Sequence, residues 1–368
     1  NDYILEKTGL EMHMEVKIFD PSTVQDDLLE KRRALNVENV TYDPKVMTEV
    51  IEDYAGNYDS KYLLWRSVFE RNHAKIINQA CYLKACHGDV KVFSRTDLIN
   101  AYEHEYYLAT DDKGRERKKR YIKEWIGDHN IRKYDQCEII PPPHQCSDDI
   151  YNLWKPSRYE GCEINSNHEK YDASAVDMYC KHIEIMCNND KDASAYVLNW
   201  IAHLIQKPGE KSTHLMFTGQ QGTGKSICFD PIKKIMGGKC FETTSPERDV
   251  WGNFNGAMVS ALLVILSEVD KRNAYGADGK IKALITDPTL VINEKNQKSF
   301  TINSYHRFVT LTNNFDPAKI ERGDRRNMII KTSAELKGNY DYFSKFNETW
   351  VDDNALLSLF SYFKHRDI

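Results

Sequence analysis

Apolar side chains recur at helical spacing in the first part of the chain. The range Lys61–Tyr82 carries Leu63, Leu64 and Phe69 on one helical face, which predicts a helix over the whole range. A second helix is predicted over Ser94–Tyr107, with Ser94 as its N-terminal cap. The pattern therefore indicates a mainly helical region before the middle of the chain.

The hydrophobic pattern changes in the second half. Val176–Ile185 and Ala195–Ile205 predict two further helices, and the second must stop at Pro208 because proline cannot continue a helix. Short apolar runs then alternate with helical stretches, at His214–Thr218, Ala261–Leu266 and Phe308–Thr312. Such alternation predicts an α/β fold, with a parallel sheet covered by helices.

A glycine-rich segment follows the first predicted strand directly and matches the phosphate-binding pattern G-x-x-x-x-G-K-[ST]. Its glycines let the backbone N–H groups turn toward phosphate oxygens, its lysine reaches the outer phosphates of ATP, and its hydroxyl binds Mg²⁺. The predicted nucleotide-binding residues are Gly219, Gln220, Gln221, Gly222, Thr223, Gly224, Lys225 and Ser226. Pro231 is expected to kink the following helix or to shorten its regular part.

An acidic group follows the second predicted strand. Glu268 is the candidate that holds the Mg²⁺ shell or polarises the attacking water, and Asp270 is the reserve candidate. With Ser226, these two acids form the predicted metal-binding set. A core strand that ends in a solvated acid is common, so the position after a phosphate-binding loop carries this hypothesis.

Two polar groups lie further along the chain. Asn313 follows the third predicted strand, where an amide can position the water that attacks the γ-phosphate; Asn-Asn at a strand end is otherwise typical of a turn. Arg325 and Arg326 lie in a loop from which a guanidinium can reach the ATP of a neighbouring subunit and stabilise transition-state charge. In isolation, that loop is typical of a protein surface.

Composition and charge constrain the function only weakly. The net charge is −5, yet phosphate affinity depends on where positive charge is placed. The most basic stretch, Lys113–Lys123, is interpreted as a solvated helix face, with contact to DNA or to an acidic neighbour as the alternative. The nine cysteines show neither a disulfide framework nor paired zinc-ligand spacing. No apolar run is long enough to span a bilayer, so a cytoplasmic protein is expected.

The order of these features resembles the superfamily 3 helicases of the AAA+ class. It is most similar to the helicase part of phage and large-virus primase–helicase replication proteins. The matching residues are Trp200–Gly209 before the phosphate-binding loop, the acid after Leu266, Thr312-Asn313 and Arg325-Arg326, with a lead-in between Tyr134 and Trp154. The likeness covers about residues 130–335. Ser267 departs from the paired acids usual in that family, which leaves Glu268 as the single matching acid.

The resemblance also implies a hairpin that grips DNA in the channel of a ring. Its strands are assigned to Val291–Glu294 and Phe300–Ile302, with Lys295 and Lys298 at the tip. Lysine suits sequence-independent contact with phosphates, although lysine at a hairpin tip serves solubility equally often.

These expectations combine into one reading. Residues 1–60 are an extension, 61–189 a mainly helical collar, 190–335 the AAA+ motor and 336–368 a helical segment. The resemblance implies a ring of about six copies that uses ATP and Mg²⁺ to move on single-stranded or forked DNA in the infected host cell. Because the chain begins at Asn1, a further domain is expected upstream, and the resemblance implies that this domain is a primase or polymerase. The alternatives are another DNA motor, such as a packaging ATPase, and an ATP-assembled replication scaffold without unwinding activity.

Overall fold

The computed structural model describes residues 60–86, 89–110, 113–268, 278–293, 299–314 and 323–368. Its internal contacts divide the chain between Asp135 and Gln136 into a first and a second unit. None of the helices in these described ranges is long and apolar enough to cross a membrane.

The first unit mixes helices and strands. Its described elements are α1 (Ser60–Phe69), β1 (His73–Ile76), β2 (Cys81–Cys86), β3 (Asp89–Phe93), α2 (Arg95–Tyr102), β4 (Tyr106–Thr110), β5 (Glu116–Arg120), α3 (Tyr121–Gly127) and β6 (Lys133–Tyr134). One sheet has the order β3-β2-β1-β6, and β4 and β5 form a separate antiparallel hairpin. An aromatic core that includes Tyr62, Phe69 and Trp125 holds the helices together.

Three predictions for this unit are wrong in extent. The helix predicted over Lys61–Tyr82 ends at Phe69, and the chain then turns back on itself to form the antiparallel pair β1 and β2. The helix predicted over Ser94–Tyr107 ends at Tyr102, although the Ser94 cap is confirmed by a 3.1 Å bond from the Asp97 N–H. Of the eleven residues in the basic run Lys113–Lys123, five lie in β5 and the last three in α3, so the run is not a helix face. The region before Gln136 is therefore a mixed unit and is not mainly helical.

The second unit is built around a parallel sheet. Its described helices are α4 (Ala173–Met186), α5 (Lys191–Gln206), α6 (Asp230–Met236), α7 (Pro246–Asp249), α8 (Asp278–Thr286), α9 (Tyr340–Thr349) and α10 (Asp353–Lys364). Its described strands are β7 (Gln136–Glu138), β8 (Ile150–Asn152), β9 (His214–Thr218), β10 (Cys240–Thr243), β11 (Leu263–Ser267), β12 (Thr289–Ile292), β13 (Phe300–Asn303), β14 (Arg307–Thr312) and β15 (Asn327–Lys331). The central sheet has the order β10-β11-β14-β9-β15, with every neighbouring pair parallel.

The predicted α/β fold with a parallel sheet is confirmed in this unit. Strands β9 and β14 are buried along their whole length, as expected for continuous apolar runs in a sheet covered on both faces. Helices α4 and α5 match the two predicted helices, and each begins with an aspartate cap, at Asp172 and Asp190.

One hydrophobic core joins the sheet to helices from distant parts of the chain. Tyr179 and Ile183 of α4 belong to the same buried cluster as Phe217 of β9 and as Phe360 and Phe363 of α10. Helix α4 thus packs with the parallel sheet, although it lies before residue 190, where the motor is predicted to begin. The second unit begins at Gln136, and the helical segment predicted for 336–368 packs into the same core.

Candidate active site

The phosphate-binding pattern lies where β9 ends at the carboxyl edge of the sheet. The Gly219 N–H donates to the Thr312 carbonyl of β14 at 3.2 Å, which fixes the start of the loop against the neighbouring strand. A Cβ atom on Gly219 would lie 2.1 Å from the Thr332 hydroxyl oxygen. Gly224 has a φ of +94°, which side-chain-bearing residues rarely adopt. The backbone course of the loop therefore requires glycine at both positions.

Lys225 is the buried cation of this loop. Its Nζ donates to the carbonyls of Gly219 at 2.9 Å and Gln220 at 2.6 Å, and to Asn313 Oδ1 at 3.0 Å. Burial lowers the pKa of this ammonium from its ordinary value. An ammonium has three N–H donors, so all of its bonds are used within the loop and with the Asn313 amide. Lys225 is thus held at the centre of the loop.

The segment after the loop differs from a simple helix. Residues Ile227–Phe229 form a 3₁₀ turn, and the regular helix α6 begins only at Asp230, with Pro231 in its first turn. The expected effect of Pro231 is confirmed, because the regular part is short and starts late. Ser226 is exposed at the end of the loop, and Thr223 is buried with its hydroxyl donating to the Gln220 carbonyl at 3.1 Å.

Glu268 is exposed directly after β11. Its φ is +60°, and its N–H donates to the Leu311 carbonyl of β14 at 2.9 Å, so the backbone turns sharply at the strand end. The preceding Ser267 donates its hydroxyl to Glu242 Oε1 of β10 at 2.8 Å. Burial raises the pKa of the Glu242 carboxyl, but hydrogen bonds from Lys233 and Ser267 outweigh this effect and hold it below its ordinary value. Asp270 lies outside the described residues.

The strand order brings Lys225, Asn313 and Glu268 together at the carboxyl ends of the parallel strands. Strand β14, which delivers Asn313, lies between β9 and β11. Parallel strands end at the same edge, so the residues that follow β9, β14 and β11 are neighbours in space. The contact between Lys225 and Asn313 is direct, and Glu268 is bonded to β14 two residues before Asn313.

Arg325 and Arg326 lie at the amino ends of the parallel strands, at the other end of the strands from the loop. They precede β15, which runs parallel to β9 with Asn327 opposite His214 and Lys331 opposite Thr218. At about 3.3 Å per residue, the strand separates them from the loop edge by roughly 13–16 Å. Arg325 is exposed, while Arg326 has its Nε buried with no hydrogen-bond partner among the described residues. The structure therefore does not bring the arginines to the loop of their own chain.

The strands predicted for a DNA-gripping hairpin are found as the antiparallel pair β12 and β13, with Ile292 opposite Phe300. Lys295 and Lys298 lie between them, outside the described residues. The base of the pair is fixed by buried polar groups. Asn255 donates its Nδ2 to the Val291 carbonyl at 2.9 Å, and Glu138 accepts from the Asn303 N–H at 2.6 Å.

A histidine that sequence reasoning missed contacts the loop. His182 of α4 is fully buried, with Nε2 3.1 Å from the Gly224 carbonyl and Nδ1 3.0 Å from the Tyr342 hydroxyl of α9. A Cβ on Gly224 would lie 2.9 Å from His182 Cε1, so the histidine also constrains the choice of residue in the loop. The helical spacing of α4 indicates that this position is buried, but no local signal connects it to a residue 42 positions later.

Lys337 is a second residue that sequence reasoning missed. It donates to the Gln220 side-chain carbonyl at 2.8 Å, which places another positive charge at the outer side of the loop. Within the ranges that the structure describes, no group of three or more His, Cys, Asp or Glu side chains could hold a metal ion. A divalent ion at this site therefore needs oxygen ligands from the nucleotide as well as from the protein.

Residues 217–326 match a family of unknown function (DUF5906). This range contains the loop, Glu268, Asn313 and both arginines. A DNA primase–polymerase of Nitratiruptor phage NrS-1 is 31% identical over 151 residues, which cover 40% of this chain and 21% of that protein. The chain is similar to a phage DNA primase–polymerase. This finding confirms the resemblance to the primase–helicase (primase–polymerase) type that the sequence predicts.

Solved structures agree with the sequence match. An apo structure of the NrS-1 C-terminal region superposes with a TM-score of 0.60 at 19% identity, over 82% of this chain and 68% of that one. A second form of the same region gives a TM-score of 0.61 at 20% identity, over 81% of this chain and 68% of that one. At this level of identity the likeness shows a shared fold, and the chain spans about a fifth of the phage protein matched by sequence.

Proposed function

We propose that this chain is the ATP-hydrolysing motor of a replicative DNA helicase of the AAA+ class. The observation that carries the proposal is the contact of Lys225 with Asn313, at an edge where Glu268 is also delivered. A lysine in a glycine-rich loop, an amide and an acid on adjacent strand ends are the groups that phosphoanhydride hydrolysis requires.

The backbone of the loop has a shape that fits a nucleoside triphosphate. Gly219 and Gly224 occupy positions where a Cβ would meet Thr332 or His182, so the chain there is shaped by close approach and not by its own side chains. Lys225 supplies a buried positive charge, and the exposed Ser226 hydroxyl is an oxygen ligand for Mg²⁺, with the exposed Glu268 carboxylate beside the water shell of the ion. ATP, when bound, supplies the phosphoanhydride bond whose cleavage drives movement.

Each side chain has a separate task in hydrolysis. Lys225 neutralises charge on the outer phosphates and exchanges its bonds with the Gly219 and Gln220 carbonyls for bonds to phosphate oxygens. The bond from Lys225 to Asn313 Oδ1 is also released, which leaves the Asn313 amide available to orient a water molecule. Glu268, next to the same strand end, polarises that water and accepts its proton.

The arginines support an assembly of several copies. Arg325 and Arg326 lie at the sheet edge opposite the loop, where they cannot reach the ATP of their own chain. A ring of about six copies lets one subunit present these guanidinium groups to the ATP of the next. In such a ring Lys295 and Lys298, at the tip of the β12–β13 pair, line the channel and hold single-stranded DNA. We place this motor in the cytoplasm of an infected host cell, downstream of a primase or polymerase domain.

Three measurements on the full chain test the proposal. ATP turnover with Mg²⁺ is measured with and without single-stranded DNA, strand separation is followed on a forked duplex, and particles are imaged with an ATP analogue and forked DNA. We expect stimulated turnover, unwinding and rings. Turnover without unwinding would favour another DNA motor such as a packaging ATPase, and rings without turnover would favour a replication scaffold.

A further inference from the structure

The β4–β5 hairpin of the first unit has two different faces. Tyr107 and Ala109 of β4 point into the core of that unit. The alternate residues Tyr106 and Leu108 are 48% and 43% exposed, and they lie opposite Arg120 and Lys118 on β5. Side chains alternate along a strand, so these four residues share the outward face.

This face combines positive charge with an exposed aromatic ring. Residues 113–123 carry seven lysine and arginine side chains and one glutamate, whereas the whole chain has a net charge of −5. Lys118 Nζ lies 4.3 Å from the centroid of the Tyr106 ring, and Arg120 pairs with the exposed Glu103 at 3.2 Å. Every residue of β5 is exposed, so this charge is presented to solvent along the entire strand.

An open groove of about 380 Å³ adjoins the same face. Its lining residues are Lys118, Lys119, Arg120, Lys123 and Glu124. Glu124 accepts from the Tyr107 hydroxyl at 2.6 Å and pairs with Lys119 at 3.2 Å, so this acid is already neutralised within the protein. The lining carries four positive side chains and one negative one, so the net charge of the groove is positive.

We propose that this outward face binds a single strand of nucleic acid. A base stacks on the Tyr106 ring in place of the Lys118 ammonium, which moves to an adjacent phosphate, and Arg120 exchanges Glu103 for a second phosphate. An acidic protein segment would be attracted by the lysines and arginines but would not use an exposed aromatic ring among them. A duplex hides the faces of its bases, so stacking requires a single strand.

This contact is separate from the motor. It lies in the first unit, whereas Lys225, Glu268 and the β12–β13 pair belong to the second. Binding through the hairpin needs no nucleotide, so it is measured without ATP. A failure of the proposed ATPase would leave its outcome unaffected.

The test measures binding of a fluorescent oligothymidylate to the full chain at several salt concentrations. Lys118→Gln/Arg120→Gln removes two charges from the outward face. The matched control, Lys91→Gln/Lys133→Gln, removes two charges from exposed positions in the other sheet of the same unit. Tyr106→Ala removes the ring, and Tyr106→Phe keeps it. The thermal unfolding midpoint of each variant is compared with that of the parent chain.

We expect Lys118→Gln/Arg120→Gln to weaken binding about tenfold and to lower the slope of log affinity against log salt by about 1.4. The control variant Lys91→Gln/Lys133→Gln should bind like the parent. Tyr106→Ala should weaken binding about tenfold, and Tyr106→Phe should restore it. Equal losses in both charge pairs, or parental binding by Tyr106→Ala, would overturn the proposal, as would equal affinity for a duplex of the same length.

Discussion

The Nε2 atom of His182 lies 3.1 Å from the carbonyl oxygen of Gly224, so a side chain of α4 holds the phosphate-binding loop. A carbonyl can only accept a hydrogen bond, which means that Nε2 carries the proton and that Nδ1 accepts from the Tyr342 hydroxyl. Burial lowers the pKa of His182 to about 4, so the ring is neutral near pH 7.

The first prediction concerns the pH dependence of stability. A histidine with a pKa near 6.5 when unfolded and about 4 when folded stabilises the fold above pH 6.5, and this contribution is lost as the pH falls toward 4. We expect the free energy of unfolding of the second unit to drop by about 2 kcal/mol from His182 alone between pH 7 and pH 5. Urea unfolding at both pH values provides the measurement.

Other buried histidines contribute in the same direction, because burial also lowers the pKa of His214 and His306 to about 4. The variant His182→Gln isolates the share of His182, and its pH dependence should be weaker than that of the parent. His168→Gln, at an exposed position, is the matched control. If His182→Gln and the parent show the same pH dependence, His182 is not a neutral buried group.

The second prediction tests the loop lysine. Lys225→Ala should reduce ATP hydrolysis by at least about 10²-fold, because it removes the positive charge that faces the outer phosphates. Lys207→Ala, which removes an exposed lysine at the end of α5, should hydrolyse ATP like the parent. Unchanged turnover in Lys225→Ala would refute the nucleotide-binding role of the loop.

The third prediction distinguishes the two acids. Glu268→Gln should still bind ATP and assemble but hydrolyse it slowly, since the amide keeps the shape of the side chain and loses its negative charge. Binding of a fluorescent ATP analogue and single-turnover hydrolysis separate the two steps. If Asp270→Asn hydrolyses more slowly than Glu268→Gln, then Asp270 is the catalytic acid.

The fourth prediction follows from the position of the arginines. Arg325→Ala/Arg326→Ala should lose ATPase activity, and mixing it with Lys225→Ala subunits should restore part of that activity. Some interfaces in mixed rings then combine an intact loop with intact arginines from the neighbour. Activity is measured across mixing ratios, with mixed assembly verified by differently tagged subunits. Mixed rings without any recovery would argue against a role in trans.

The fifth prediction concerns Lys295 and Lys298, which lie between β12 and β13 in the sequence. Lys295→Ala/Lys298→Ala should weaken binding of single-stranded DNA about equally for all sequences and lower the salt slope by about 1.4. Strand separation and the stimulation of ATPase by DNA should both decrease. The outward-face variant of the first unit is tested in parallel. If that variant loses unwinding while Lys295→Ala/Lys298→Ala unwinds normally, the first unit provides the grip on DNA.

Three of the five strands in the parallel sheet could be predicted because they are continuous apolar runs, whereas β10 and β15 lack such a run and are not predicted. His214–Thr218 was assigned its full extent, and the other two strands were correct to within about two residues. The loop, Glu268 and Asn313 could be assigned from their positions after these strands. Their meeting at one edge depends on strand order, which local sequence does not specify.

The first unit could not be predicted in the same way, because its apolar residues fit two periodicities. Ile76 and Ile77 continue the helical spacing of Leu63 and Phe69, yet Ile76 belongs to β1. The turn that returns the chain to β2 contains Ala80 at a φ of +48°, which no sequence signal indicates. All five residues of β5 are exposed, and polar and apolar residues do not alternate along it. This strand therefore forms only because it pairs with β4.

Helices α9 and α10 are needed for a stable fragment of this chain, because they complete the core of the second unit. Trp350, Phe360 and Phe363 are almost completely shielded from solvent, inside the core that also holds Tyr179. A recombinant fragment cut to the family match, residues 217–326, would lack these rings and leave the apolar surface beneath them bare. We expect such a fragment to aggregate, whereas limited proteolysis should release residues 136–368 as a resistant product. The practical unit for crystallography or enzymology is that longer piece.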